Sequence, residues 1–228
     1  MEGKQKEYCL VLLFSMRGHY AANMTTSPSQ MRILTAARDL FFKHGFEKVS
    51  TDMLAKEAAV SKATLYRHFA NMNDVLKSVA EAEVMKFNAD APPQIETLED
   101  LRGALGEFGI KLLRFLNQPD TVQFARLIHE EARGNPQVGR LFYQAAHAKT
   151  LRKISKIIQH AQAHQLVSDD ADASDIAEDF LALLEGLGMV RVQLGVSLYP
   201  FEDAEKRATR AVATILAAHA YPNQPHIK

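Results

Sequence analysis

The stretch VSTDMLAKEAAVSKATLYRHF, from Val49 to Phe69, holds two short helical patterns separated by a tight turn. In the first, Leu54, Ala55 and Ala58 fall on one apolar stripe, and Ser50 or Thr51 stands where a hydroxyl can accept a backbone N–H bond and start the helix. Ser61 is the matching N-cap for the second. Beyond it Leu65 and Phe69 lie four residues apart and face inward, while Lys62 with Tyr66, and Thr64 with His68, pair along the remaining surface. A short helix with one core-facing stripe and one hydrogen-bonding stripe suits the DNA major groove, so the spacing predicts a helix-turn-helix.

The longer string ILTAARDLFFKHGFEKVSTDMLAKEAAVSKATLYRHFANMNDVL, beginning at Ile33, closely resembles the DNA-binding domain of the tetracycline-repressor (TetR) family of bacterial transcriptional regulators. The likeness runs over residues 31 to 80. It is carried by AARDLFFKHGF with its stop at Gly45, by LAKEAAVSKATLYRHF, and by the start of a fourth helix after Phe69. The resemblance implies a DNA-binding domain in residues 24–80 and a homodimer on a double-stranded DNA operator. It places Lys62 and Thr64 nearest base edges, Tyr66 and His68 nearest phosphates, and Thr51 on the DNA backbone. Ser50, Ser61, Ala63, Arg67 and Lys77 complete the expected DNA-facing set.

Two positions depart from the family pattern. Where the family usually has glycine in the turn, this chain has Ala59; a left-handed backbone there costs a residue with a Cβ on the order of 1 kcal/mol. Where the family commonly has a phosphate-binding lysine near the start of the fourth helix, this chain has Met72. Lys77 one turn later, or the helix N-terminus itself, is the expected substitute.

Apolar residues make up 47% and charged residues 24% of the 228, which fits a folded globular chain rather than a disordered one. The formal net charge is zero, yet residues 24–80 carry eight Lys/Arg against five acids. An excess this small predicts that tight DNA binding needs two copies and weakens steeply with salt. The lone Cys9 excludes an intramolecular disulfide framework and a cysteine-based zinc site, and a cytoplasmic location fits. Residues 1–23 contain an apolar run from Tyr8 to Phe14, too short for the roughly 20 residues that span a bilayer, and are taken as an N-terminal extension before the start at Met24.

After the break Ala89-Asp90-Ala91-Pro92-Pro93 the period stays helical, so residues 81–228 are expected to form a second domain reached through helix 4, the lever between the two functions. Helices are expected from Leu98 to near Asn117, around Phe124 to Gly134, continuously from Val138 to about Gln165, from Asp172 to Leu194, and from Phe201 to Ala220. The last two carry small residues that let backbones approach; Ala182, Gly186, Val190, Ala211, Ile215 and Ala218 are the expected dimer interface. Gly186 and Gly188 inside a helix cost about 1 kcal/mol each, which close packing would offset. RLIHEEA (Arg126–Ala132) followed by NPQVGRLFY (Asn135–Tyr143) resembles the C-terminal domain of AefR-like regulators. That resemblance implies an effector pocket, with Phe108, Leu112, Phe115, Phe124, His129, Phe142, Phe180 and Leu184 as its expected lining and a small apolar or amphipathic molecule as occupant.

Other chemistry finds little support. His160 and His164 sit at a chelating spacing without a third ligand, and a metalloenzyme built on His129, His160 and Glu130 lacks any sequence signature. Ser15, Ser155 and Ser197 lack a nucleophile context. The expectation is therefore an all-α, two-domain regulator with no catalytic site, metal or cofactor.

Overall fold

The computed structural model describes residues 27–85 and 94–221, with side chains at 84 and 85 excepted. The expected extension at residues 1–23, the start at Met24 and the Ala89–Pro93 break lie outside the described residues. Eleven α-helices are present among these residues, and a single β-bridge joins Val167 to Ala220. The chain divides into two compact units, residues 1–82 and 83–228.

In the first unit α1 spans Pro28–His44, α2 Thr51–Glu57 and α3 Lys62–His68, and α4 (Met72–Met85) runs on past its boundary. Hydroxyls start the first three: Ser27, Ser50 and Ser61 accept the backbone N–H bonds of Gln30, Met53 and Thr64. Each cap satisfies a donor that the first helical turn leaves without an intrahelical partner. Ile33, Ala37, Phe41, Leu54, Leu65, Phe69 and Leu76 are buried, and the Phe41 and Phe46 rings meet edge to face at 5.3 Å.

The turn between α2 and α3 is built as the departure at Ala59 requires. Ala59 is left-handed at φ 50°, its N–H donates to Lys56 O, and Val60 N–H donates back to Ala55 O. These two bonds are the Schellman ending, which satisfies the last carbonyls of α2 and normally has glycine at its left-handed position.

In the second unit α5 spans Leu98–Leu116, α6 Pro119–Gly134, α7 Pro136–Ala145, α8 His147–Ala163, α9 Ala173–Glu185, α10 Gly188–Gln193 and α11 Ala204–His219. A capping box opens α5, with Thr97 and Asp100 exchanging side-chain and backbone bonds. These hydrogen bonds from Thr97 and Glu96 hold the Asp100 carboxyl below its ordinary range. One core joins α5, α8, α9 and α11 through Leu101, Leu105, Leu113, Ile154, Ile158, Phe180 and Ala208, while α6 packs on α7.

Two expected continuous helices are broken. The Val138–Gln165 pattern splits at Ala146, where φ −110° and ψ −77° kink the chain between α7 and α8. Neither proline nor glycine marks that kink; the rings of Phe142 and Tyr143 lie against His147 across it. The Asp172–Leu194 pattern splits at Gly186, which at φ 46° ends α9 instead of continuing it. The close packing expected of these glycines is met inside the subunit. A Cβ at Gly186 would collide with Arg207, and one at Gly188 with the Phe201 ring. Asn117 holds Phe201 there, donating to its carbonyl at 2.8 Å and accepting its N–H at 3.0 Å. Arg207 donates to Leu184 O at the end of α9 and lies over the Phe201 ring at 5.3 Å.

Gly109 is the close approach within the core, since a Cβ there would lie 3.0 Å from Leu184 Cδ2 and 3.1 Å from Ala208 Cβ. Gly106, on the same helix, has nothing within 4 Å of that position. Gly109→Val is therefore expected to destabilise the second unit by about 1–3 kcal/mol through overpacking, whereas Gly106→Ala gains up to about 1 kcal/mol in helix propensity. Urea unfolding followed by circular dichroism checks the pair, and equal effects would contradict the packing. Ala59→Gly is expected to stabilise the first unit. Relief of about 1–2 kcal/mol of left-handed strain outweighs the roughly 0.4–1 kcal/mol lost to a freer unfolded chain; a lowered midpoint would contradict the turn.

Candidate DNA-binding interface

The helix-turn-helix presents one face of α3. Leu65, at 2% exposure, and Phe69, at 4%, hold the inner side in the core. Ser61, Lys62, Ala63, Tyr66 and Arg67 are exposed on the other, Tyr66 at 54%, and Thr64 is half-buried between them. Thr64 Oγ1 lies 3.0 Å from Ser61 Oγ, so the cap and the side chain one turn on share a hydrogen bond. Ser50 is exposed and Thr51 half-buried at the start of α2, and Lys77 is exposed on α4. The helix itself carries no acidic residue, with Arg67 and His68 in its last turn, where cations suit the helix dipole.

Two members of this set have partners that spacing does not reveal. Lys62 Nζ is 2.6 Å from Asp52 Oδ1 in the first turn of α2, and that hydrogen bond and charge raise the lysine above its ordinary pKa. His68 Nε2 is 2.8 Å from Ser29 Oγ and 3.4 Å from Ser27 Oγ, tying the end of α3 to the start of α1. Only the alternation of charge across the turn, Asp52 to Lys62, hints at the first of these in the sequence; nothing hints at the second. At the position where the family lysine is absent, Asn71 Oδ1 accepts the N–H of Asp74 at 3.0 Å and starts α4.

The remaining expected site residues divide sharply. Of the effector set, Phe108, Leu112, Phe180 and Leu184 are buried in the core and Phe115 packs against it, whereas Phe124 meets Phe142 at 5.8 Å and His129 is exposed. Of the interface set, Ala182, Gly186, Val190 and Ala218 are exposed. Ala211, at 1% exposure, and Ile215, at 2%, are spent inside their own subunit, because the apolar stripe of α11 turns toward α5 and α9. Around and after α10 the exposed apolar surface extends beyond the expected Val190: Leu187, Leu194, Val196, Leu198 and Tyr199 are exposed as well. Its signal is a run of large apolar residues through a Gly-rich segment.

Comparison with known proteins places this geometry. Residues 33–79 match the bacterial regulatory proteins of the tetR family, and residues 103–221 match the AefR-like transcriptional repressor C-terminal domain. The chain is 25% identical to the HTH-type transcriptional regulator UidR of Escherichia coli K12 over 169 residues, 72% of this chain and 83% of that protein. It is 23% identical to the HTH-type transcriptional repressor ComR of the same strain over 168 residues, 72% of this chain and 80% of that protein. Among solved structures, the flavonoid-responsive regulator FrrA shares 29% identity at a TM-score of 0.72, covering 86% of this chain and 98% of its own. These relatives are regulators and not enzymes. The exposed face of α3, the matched N-terminal domain and the matched C-terminal domain agree: the chain belongs to the tetR family of bacterial transcriptional regulators, with an AefR-like C-terminal domain.

Proposed function

We propose that this regulator is a homodimeric repressor of the cytoplasm that binds a pseudo-palindromic operator and leaves it when a small apolar or amphipathic effector binds the second unit. The observation that carries the DNA-binding part is the anchoring of α3 by Leu65 and Phe69, which leaves Lys62, Ala63, Tyr66 and Arg67 outward. A recognition helix of this kind reads bases from the major groove, and the flanking Thr51, Lys77 and the α4 N-terminus hold phosphates. No described helix is long and apolar enough to cross a membrane.

Two copies follow from the small positive charge of the first unit and from half-sites about 34–36 Å apart. The exposed apolar strip from Leu187 to Tyr199 is the surface assigned to the second copy, together with Ala182 and Ala218. Contiguous apolar exposure of this kind marks an interaction site in a protein that stays in solution. Repression is supported by the AefR-like repressor match and by ComR, and an aromatic effector by the flavonoid-responsive FrrA. Release is a linkage effect: an effector that prefers the conformation with poor DNA affinity weakens binding by its differential affinity, typically about 5- to 150-fold.

Tyr66→Ala and Lys62→Ala are each expected to weaken binding to a duplex selected by the purified protein by about tenfold or more, as a contact worth 1–3 kcal/mol implies. Asp52→Asn, which frees Lys62 and removes a negative charge beside the DNA, is expected to tighten it. Mobility-shift titration measures all three, and unchanged affinity throughout would remove this face from the interface. Leu194→Glu with Leu198→Glu is expected to convert dimer to monomer in size-exclusion chromatography with light scattering and to weaken operator binding together. A variant that stays dimeric would move the interface elsewhere.

A further inference from the structure

The first turn of α2 sets a carboxylate against the first residue of α3. Asp52 Oδ1 lies 2.6 Å from Lys62 Nζ, with the two side chains 69% and 54% exposed. An ion pair so open to water adds little to folding, and the turn is already held by the Ala59 and Val60 N–H bonds. The consequence of the pair therefore falls on whatever approaches this face. Arg67 and Lys77, the other exposed cations of the expected DNA-facing set, have no carboxylate partner among the described residues. They are free to meet phosphates; Lys62 is not.

Lys62 follows the Ser61 cap directly, and the N-terminal residues of a recognition helix are those that meet base edges. A lysine ammonium has three donors, so the bond to Asp52 leaves two for the O6 and N7 acceptors that guanine shows in the major groove. The carboxylate also holds a long side chain in place before a duplex arrives, so less ordering entropy is lost on contact. For a phosphate the balance is reversed. Binding to a random duplex is almost wholly phosphate neutralisation, and Asp52 both cancels the charge of Lys62 and repels the strand.

We propose that Asp52 is a specificity-determining residue: it withholds Lys62 from phosphates and presents it to a guanine, so that it lowers affinity for random DNA more than affinity for the operator. It acts through Lys62 and reads no base itself. The inference rests on α3 being the recognition helix and adds the neighbour that sets its discrimination.

The test is mobility-shift titration of the full-length protein, at several salt concentrations, with a duplex selected by the wild type and with a random duplex of the same length. Asp52→Asn is expected to tighten binding to both, the random duplex more. The operator-to-random ratio then falls about fivefold or more, the low end of what one base contact discriminates. The salt dependence of random binding is expected to steepen by about one unit of log K per log salt for each lysine released to a phosphate. Asp52→Glu, which keeps the carboxylate, is expected to restore most of the ratio, and in a Lys62→Met background Asp52→Asn is expected to leave the ratio where it was. Replacing the guanines of the selected duplex one at a time by 7-deazaguanine, which lacks the N7 acceptor, is expected to weaken the wild type at one guanine of each half-site and to cost Lys62→Met nothing there. A ratio unmoved by Asp52→Asn, one that falls as far without Lys62, one that Asp52→Glu leaves as low, or the lack of such a guanine would overturn the proposal. Operator affinity unchanged in both Tyr66→Ala and Lys62→Met would overturn recognition by α3 itself; weakened binding there with an unmoved Asp52→Asn ratio would overturn this inference alone.

Discussion

The burial of Leu65 and Phe69 governs what this chain can do with DNA. Helix α3 has seven residues, well below the roughly 12–15 at which an isolated helix begins to hold in water. It exists because two side chains on one stripe are buried, as Leu54 and Ala58 are, and because Ser61 caps its first turn while the Phe69 N–H donates to Leu65 O at its end. Fixing that stripe fixes the rotation of the helix about its axis, and the rotation alone decides that Tyr66 and Arg67 point outward. Recognition is therefore a by-product of packing: the side chains that meet a duplex are those the core leaves over.

The second unit obeys a different constraint, close approach. Gly109 lets α5 lie against Leu184 of α9 and Ala208 of α11, and Gly188 lets Phe201 pack on the start of α10. Arg207, held by the α9 carboxyl end and the Phe201 ring, closes the gap that Gly186 leaves. These contacts bring α5, α9 and α11 together around one shared core. The apolar side chains this core does not take up are left on the segment that follows α9.

Much of this was legible in the residue pattern. The helix-turn-helix, its serine caps and its buried stripe followed from periodicity and capping chemistry, and the left-handed turn at Ala59 followed from the resemblance. What stayed hidden depends on contacts between distant residues. Asp52 reaches Lys62 across the turn, and Ser29 reaches His68 from another helix, so neither pairing shows in local spacing. The kink at Ala146 lies in a run of good helix formers, where nothing local distinguishes a bend from a straight continuation. Phe180 and Leu184 have the same helical spacing whether they line a pocket or fill a core, and Ala211 and Ile215 face inward only because α11 is turned that way.

As a dimer seam, the exposed strip after Gly186 would tie gene dosage to control. If its surface is covered by another copy of the chain, folding and pairing share one equilibrium, and thermal stability rises with protein concentration. While subunits are mostly separate, operator occupancy grows with the square of their number, so a modest change in synthesis moves the regulated gene through its range.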